Sequence, residues 1–167
     1  MEILNFLSGI GLGALLITII DRALDYKLSK RKFQFEKLYI KRAVVIGETY
    51  EKMIKTHRAI ESLVCPLQLA GEPPKEEKMR SAAKIGNDFI EYFDINRIFF
   101  DENLELEIDQ LNKKMQGVFT KFKYATMFET GKQDIKEWNE AWDEIKERAP
   151  KLRREIEKNF RKIIGIN

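Results

Sequence analysis

Apolar and polar positions divide this chain into one uniformly apolar stretch and a series of one-sided stretches. From Ile3 to Ile20 none of the eighteen residues is charged. At a rise of about 1.5 Å per residue they would form a helix about 27 Å long, close to the hydrocarbon thickness of a bilayer. The pattern predicts a transmembrane helix within residues 1–20. A cleaved signal peptide would open with a basic residue and leave through a small-x-small pair. This stretch opens Met1-Glu2 and leaves through Ile19-Ile20-Asp21-Arg22. A buried core helix is the other alternative, since the length is near the lower edge for spanning.

Beyond Asp21 the apolar residues recur at helical spacing. Phe35, Leu38, Val45, Ile46, Tyr50, Met53, Ile54, Ile60 and Val64 predict one very long helix, ended by Pro66, with Ser29-Lys30-Arg31-Lys32 as its place to bend. Residues 66–77, with Gly71 and Pro73-Pro74, read as a loop. Met79, Ala82, Ile85, Phe89 and Phe93 predict a second helix from Lys75 to Asp94, and Asn96–Phe100 a short connector. Asp101 is the expected N-cap of a third helix carrying Leu104, Ile108, Leu111, Met115, Val118, Phe119, Phe122 and Ala125, stopped at Thr130-Gly131-Lys132. A fourth stretch places Ile135, Trp138, Trp142, Ile145, Ala149, Leu152, Ile156 and Ile163 on one stripe, broken by Asn159. Pro150 falls inside it and predicts a kink or a new start. The stripe suits the domain's own core or an intermolecular coiled coil.

The fold class expected is therefore all-α: a single N-terminal transmembrane helix running into a long helix and a helical bundle formed by residues 21–167. Charge orients it. No Lys or Arg precedes the span, whereas Arg22, Lys27, Lys30, Arg31, Lys32, Lys37, Lys41 and Arg42 follow. Basic residues stay on the cytoplasmic side, so the N-terminus is expected outside and residues 21–167 in the cytoplasm. The overall +3 conceals an asymmetry. Residues 21–65 hold eleven Lys and Arg against six Asp and Glu, and residues 66–167 nineteen against twenty. The positive excess lies next to the membrane, where anionic headgroups are the nearest partner, and direct nucleic-acid binding is not expected.

Within the span, Gly9 and Gly13 form a G-x-x-x-G pair that permits close helix contact, although glycine is common in membrane helices. Asn5, Ser8, Gly9, Leu12, Gly13 and Leu16 share one side and are the expected packing or pore-lining residues. Asp21 and Asp25, one turn apart at the exit, would make a ring of negative charge at a pore mouth in an oligomer. They equally suit simple balance against Arg22 and Lys27. Arg22, Lys27, Lys30, Arg31 and Lys32 form the membrane-proximal basic run.

Catalytic chemistry is hard to place. Phosphate-loop, zinc-protease and nucleophile-elbow motifs are missing from the sequence. One Cys and one His are a poor basis for a zinc site, and neither a metal nor a cofactor is expected. His57 reads as a satisfied surface or edge residue and Cys65 as small apolar filler.

The layout carries a resemblance. The N-terminal apolar stretch, Lys41-Arg42-Ala43-Val44-Val45-Ile46, Tyr50-Glu51-Lys52-Met53, and the run from Phe93 to Glu102 resemble the membrane accessory proteins of type VI-B CRISPR systems, small bacterial membrane-anchored helical proteins. That resemblance implies an oligomeric, pore-like assembly in the bacterial inner membrane, linked functionally to an RNA-guided RNA nuclease in antiviral defence. It also implies a divergent helical RNase domain, whose active form needs Arg, four to six residues, then His. Here no arginine lies at that spacing before His57, and no histidine follows Arg97. Arg97 with Asn103 would be a remnant serving a structural hydrogen bond. The expected function is a non-catalytic membrane effector that oligomerises to form or gate a pore. The alternative is a tethered adaptor whose bundle docks a soluble partner, and a degenerate RNase-like domain comes third.

Overall fold

Each one-sided stretch becomes a helix with its apolar side turned inward. The computed structural model describes residues 2–67, 70–127 and 135–166, with side chains for residues 21–67, 70–126 and 136–166. Among the described residues the fold is all-helical, without strands. Helix α1 spans Glu2–Val64, α2 Lys75–Asn96, α3 Glu102–Met127, α4 Ile135–Asp143 and α5 Ala149–Ile163. A 3₁₀ turn, Arg97–Phe99, joins α2 to α3, and a π turn, Glu144–Arg148, joins α4 to α5. The chain divides into two units, Met1–Arg42 and Ala43–Asn167.

In the first unit, residues 21–42 are helical throughout, and the helix is unbroken across Ser29–Lys32. Phe35 and Leu38, expected on the core side, are exposed instead. The charge-free stretch 3–20 falls within the range of α1, but its side chains lie outside the described residues. Among the described residues no helix is long and apolar enough to cross a membrane. The expected stop at Thr130–Lys132 also lies outside the described residues.

The second unit is a bundle around one core. The inward face of α1 begins at Val45 and continues through Ile46, Met53, Ile60, Leu63 and Val64. Facing it are Ala82, Phe89 and Phe93 of α2; Leu104, Ile108, Leu111, Met115, Val118 and Phe122 of α3; and Ala141, Ile145, Ala149, Ile156 and Phe160 of the last third. An aromatic series fastens the helices at one end. Phe93 meets Phe100 at 5.6 Å between ring centroids, Phe100 meets Phe160 at 6.0 Å, and Phe160 meets the edge of Tyr50 at 6.3 Å. Such offset and edge-on pairs add to the burial of their large apolar surfaces.

Local sequence sets the helix ends. Helix α2 starts at Lys75, as expected, with Pro74 as N-cap, and runs two residues beyond the expected Asp94 to Asn96. Asp101 caps α3 as expected: its Oδ1 accepts from the backbone N–H of Leu104 at 3.0 Å. Gly165, at φ +71°, closes α5, while Ile166 N–H reaches back to the Arg161 carbonyl at 2.9 Å. A left-handed glycine lets the chain satisfy those last carbonyls.

The fourth stretch departs from a regular helix at Pro150. The N–H of Ala149 reaches the Glu144 carbonyl, five residues back, instead of the Ile145 carbonyl four back. Proline has no N–H to offer either carbonyl behind it. The helix widens by one residue there rather than breaking. Trp142, expected on the core stripe, is only partly buried, and Ile145 is the fully buried member of that turn. Asn159, the polar break, donates from Nδ2 to Glu107 Oε2 of α3 at 2.8 Å.

Candidate functional site

Two features stand out from the packed bundle: an exposed two-faced helix in the first unit and a buried polar cluster in the second. In the first, residues 21–41 of α1 are all exposed. Successive residues turn by about 100° around a helix. Leu24, Leu28, Phe35 and Leu38 therefore lie on one face, and Tyr26, Phe33 and Ile40 on the opposite face. Each of these seven side chains is more than half exposed, with Tyr26 and Phe35 at 70%. Basic residues interleave both faces, and the Lys37 ammonium sits 4.4 Å above the Phe33 ring.

The residues singled out by sequence fall here or just before. Asp21, Arg22, Asp25, Lys27, Lys30, Arg31 and Lys32 are all exposed. Asp21 and Asp25 share one side of the helix by their four-residue spacing. Asn5, Ser8, Gly9, Leu12, Gly13 and Leu16 lie outside the described side chains.

The buried cluster centres on His57. It is 4% exposed, so the reading of it as a surface or edge residue is corrected. Its position explains the burial: it lies four residues after Met53 and three before Ile60, on the inward face of α1. The ring Nε2 lies 3.1 Å from the Ile145 carbonyl oxygen. A carbonyl only accepts, so Nε2 carries the proton and Nδ1 is the bare nitrogen. Among the described residues the buried Nδ1 atom has no hydrogen-bond partner, and it lies 3.9 Å from Glu61 Oε2.

Glu61 is oriented by Lys146, whose ammonium lies 2.5 Å from Oε1 and 5.0 Å from the centroid of the Trp142 ring. Burial pushes the His57 pKa below its usual value, and the charge of Arg153 adds to this; the Ile145 bond and Glu61 oppose it. The hydrogen bond to Glu61 raises the pKa of Lys146. The imidazole is thus neutral, with one nitrogen engaged by the backbone and the other facing a carboxylate. That arrangement fastens two helices and leaves no nitrogen facing an open cleft. Among the described residues no group of three or more His, Cys, Asp or Glu could hold a metal ion.

Arg97 also has a structural setting. Its guanidinium makes two bonds to Asp109, at 2.9 and 3.0 Å, and one to Asp94 at 3.0 Å, while lying 4.7 Å from the Phe93 ring centroid. Glu105 is 3.7 Å away. The hydrogen bond at the connector goes to these carboxylates rather than to Asn103.

Sequence reasoning missed the pairing of His57 with Ile145. The signals were present separately: a histidine at a core-facing position and a proline inside a helical pattern. Compared with known proteins, the chain matches no protein family, no curated protein and no solved structure.

Proposed function

We propose that this protein is a membrane-anchored, non-catalytic effector that oligomerises and forms or gates a pore in the bacterial inner membrane. One observation carries the reading. Directly after eighteen charge-free residues, α1 exposes eight large apolar side chains between Leu24 and Ile40, seven of them on two opposite faces and Tyr39 beside the Leu28 face. Exposed apolar surface of this extent marks an interaction site. Opposite faces call for two neighbours, which is the arrangement of a helix within a ring of helices. A helix lying flat on a lipid surface would be apolar on one side only.

The pore reading places Asn5 and Ser8 toward the shared axis, with Asp21 and Asp25 at its mouth. The basic residues from Arg22 to Arg42 then meet anionic headgroups on the cytoplasmic side. The antiviral setting, with its link to an RNA-guided RNA nuclease, is supported by the resemblance of residues 41–46, 50–53 and 93–102.

The test is the mass of the detergent-solubilised particle, together with a membrane-potential dye in cells. A multi-chain particle that depolarises the membrane on activation supports the proposal. A monomer defeats it and leaves the tethered adaptor. One observation favours that second reading: an open groove between α1, α2 and α3 lined by Asn87, Asn112, Gln116 and Phe119, whose amides could bind a partner's backbone.

A further inference from the structure

The corner where α2 passes into α3 is the counterpart of the basic helix. Ile95 and Ile98 project there at 70% and 84% exposed, although Phe93 and Phe100 on either side are buried. Residues 91–109 carry Glu91, Asp94, Asp101, Glu102, Glu105, Glu107 and Asp109 against Arg97 alone, a net charge of −6. Arg97 is already engaged by Asp94 and Asp109. Glu91, Asp101 and Glu102 are exposed around the two isoleucines in sequence.

Residues 21–42 carry eight Lys and Arg against Asp21, Asp25 and Glu36, a net charge of +5. On one face of that segment Tyr26, Phe33 and Ile40 recur every seven residues, with Lys30 and Lys37 between them and Arg22 one turn ahead. One surface is apolar with a basic surround and the other apolar with an acidic surround. Both belong to the same chain in nearly equal and opposite charge.

From this complementarity we propose that the acidic α2–α3 corner of one copy docks the Tyr26–Phe33–Ile40 face of a second copy. The occupant is thus a second copy of this chain, and the corner supplies one of the two neighbours that the helix calls for. Unlike surfaces joined head to tail generate closed rings when the rotation closes. Opposite charge sets the register and speeds encounter, while the desolvated isoleucines and aromatics hold the contact. The inference rests on the oligomeric part of the proposed function.

The experiment uses the full chain in detergent, with particle mass as readout and thermal melting as a check on folding. The corner variant is Glu91→Lys with Glu102→Lys. The helix variant is Lys30→Glu with Lys37→Glu. Asp101 is kept because it caps α3. Each variant alone should melt like the wild type and lose the oligomer. An equimolar mixture should recover particle mass that neither variant shows alone, because the intact helix of one can dock the intact corner of the other. A chain carrying both sets, with the charges exchanged, should assemble again.

A corner variant that assembles like the wild type overturns the inference while leaving the oligomer standing. A helix variant that keeps its mass but loses binding to phosphatidylglycerol vesicles overturns it too, assigning the basic face to lipid. A monomeric wild type overturns both this inference and the reading beneath it.

Discussion

His57 and Ile145, separated by 88 residues, are joined by a hydrogen bond from the ring Nε2 to the backbone carbonyl at 3.1 Å. The bond exists because Pro150 and the π turn together deprive that carbonyl of a helical donor. Ala149 bonds one residue further back, and Pro150 has no N–H. A widened turn in the last helical stretch is thereby fastened to α1. The histidine satisfies a buried backbone group that would otherwise be an orphan.

The first prediction tests this dependence. His57→Ala should destabilise the bundle by about 1–3 kcal/mol, since a buried carbonyl loses its donor. Pro150→Ala restores an N–H and lets the stretch return to regular helix. In that background, replacing His57 should cost less. A double-mutant cycle in denaturant unfolding reads the coupling, expected at about 0.5–2 kcal/mol. Strict additivity would show that the proline and the histidine act separately.

The second prediction follows from the depressed pKa of His57, caused first by burial and then by the Arg153 charge. The unfolded histidine takes up a proton near pH 6.5, whereas the folded ring resists it. Below that pH the unfolded state binds more protons, so stability falls as pH falls. The charged groups facing the ring are Glu61 from α1, Lys146 from the π turn and Arg153 from α5. The contribution is fully present above about pH 6.5 and shrinks as pH drops below it. Unfolding free energies at pH 5.5 and pH 7.5 should differ more for the wild type than for His57→Gln. Equal differences in the two proteins would remove His57 as the cause.

Arg97 offers a third. Its guanidinium is about one-third exposed, at 37%, so solvent screens the three carboxylates around it. Arg97→Leu should cost about 1 kcal/mol or less at low salt, and the loss should shrink at high salt. Arg97→Lys keeps the charge but cannot make the paired contact with Asp109, so it should recover only part. A loss several times larger, unaffected by salt, would mean that the connector depends on the arginine in another way.

Much of the bundle was legible because periodicity identifies a face. Val45, Ile46, Met53, Ile60 and Val64 were read as one stripe and are buried; Asp101 was read as a cap and is one. Periodicity does not say what covers a face. Phe35 and Leu38 continue the spacing of the core residues yet remain exposed among the described residues. Size misled at Trp142, where the indole lies partly open beneath Lys146 and the smaller Ile145 fills the core. The π turn could not be read either: Pro150 announces a missing donor, but which carbonyl is left over depends on where the histidine of α1 arrives.

The last prediction concerns the other face of the basic helix. Leu28 and Phe35 are 62% and 70% exposed in a single copy, so the fold gains little from them. Surface substitutions of this kind ordinarily change stability by no more than about 0.5 kcal/mol. If the face packs against a neighbouring copy, the same side chains become buried on assembly. Each would then contribute about 1.5–3 kcal/mol to the contact. Leu28→Ser with Phe35→Ser should therefore leave thermal melting of the bundle unchanged and dissociate the particle. Membrane level should also be unchanged, since residues 3–20 are untouched. Measuring melting, membrane level and detergent-solubilised mass side by side separates the possibilities. A lowered melting point places these residues in the fold, and a normal mass with normal melting leaves the face without a neighbour. Only loss of mass at constant stability puts a second copy against it.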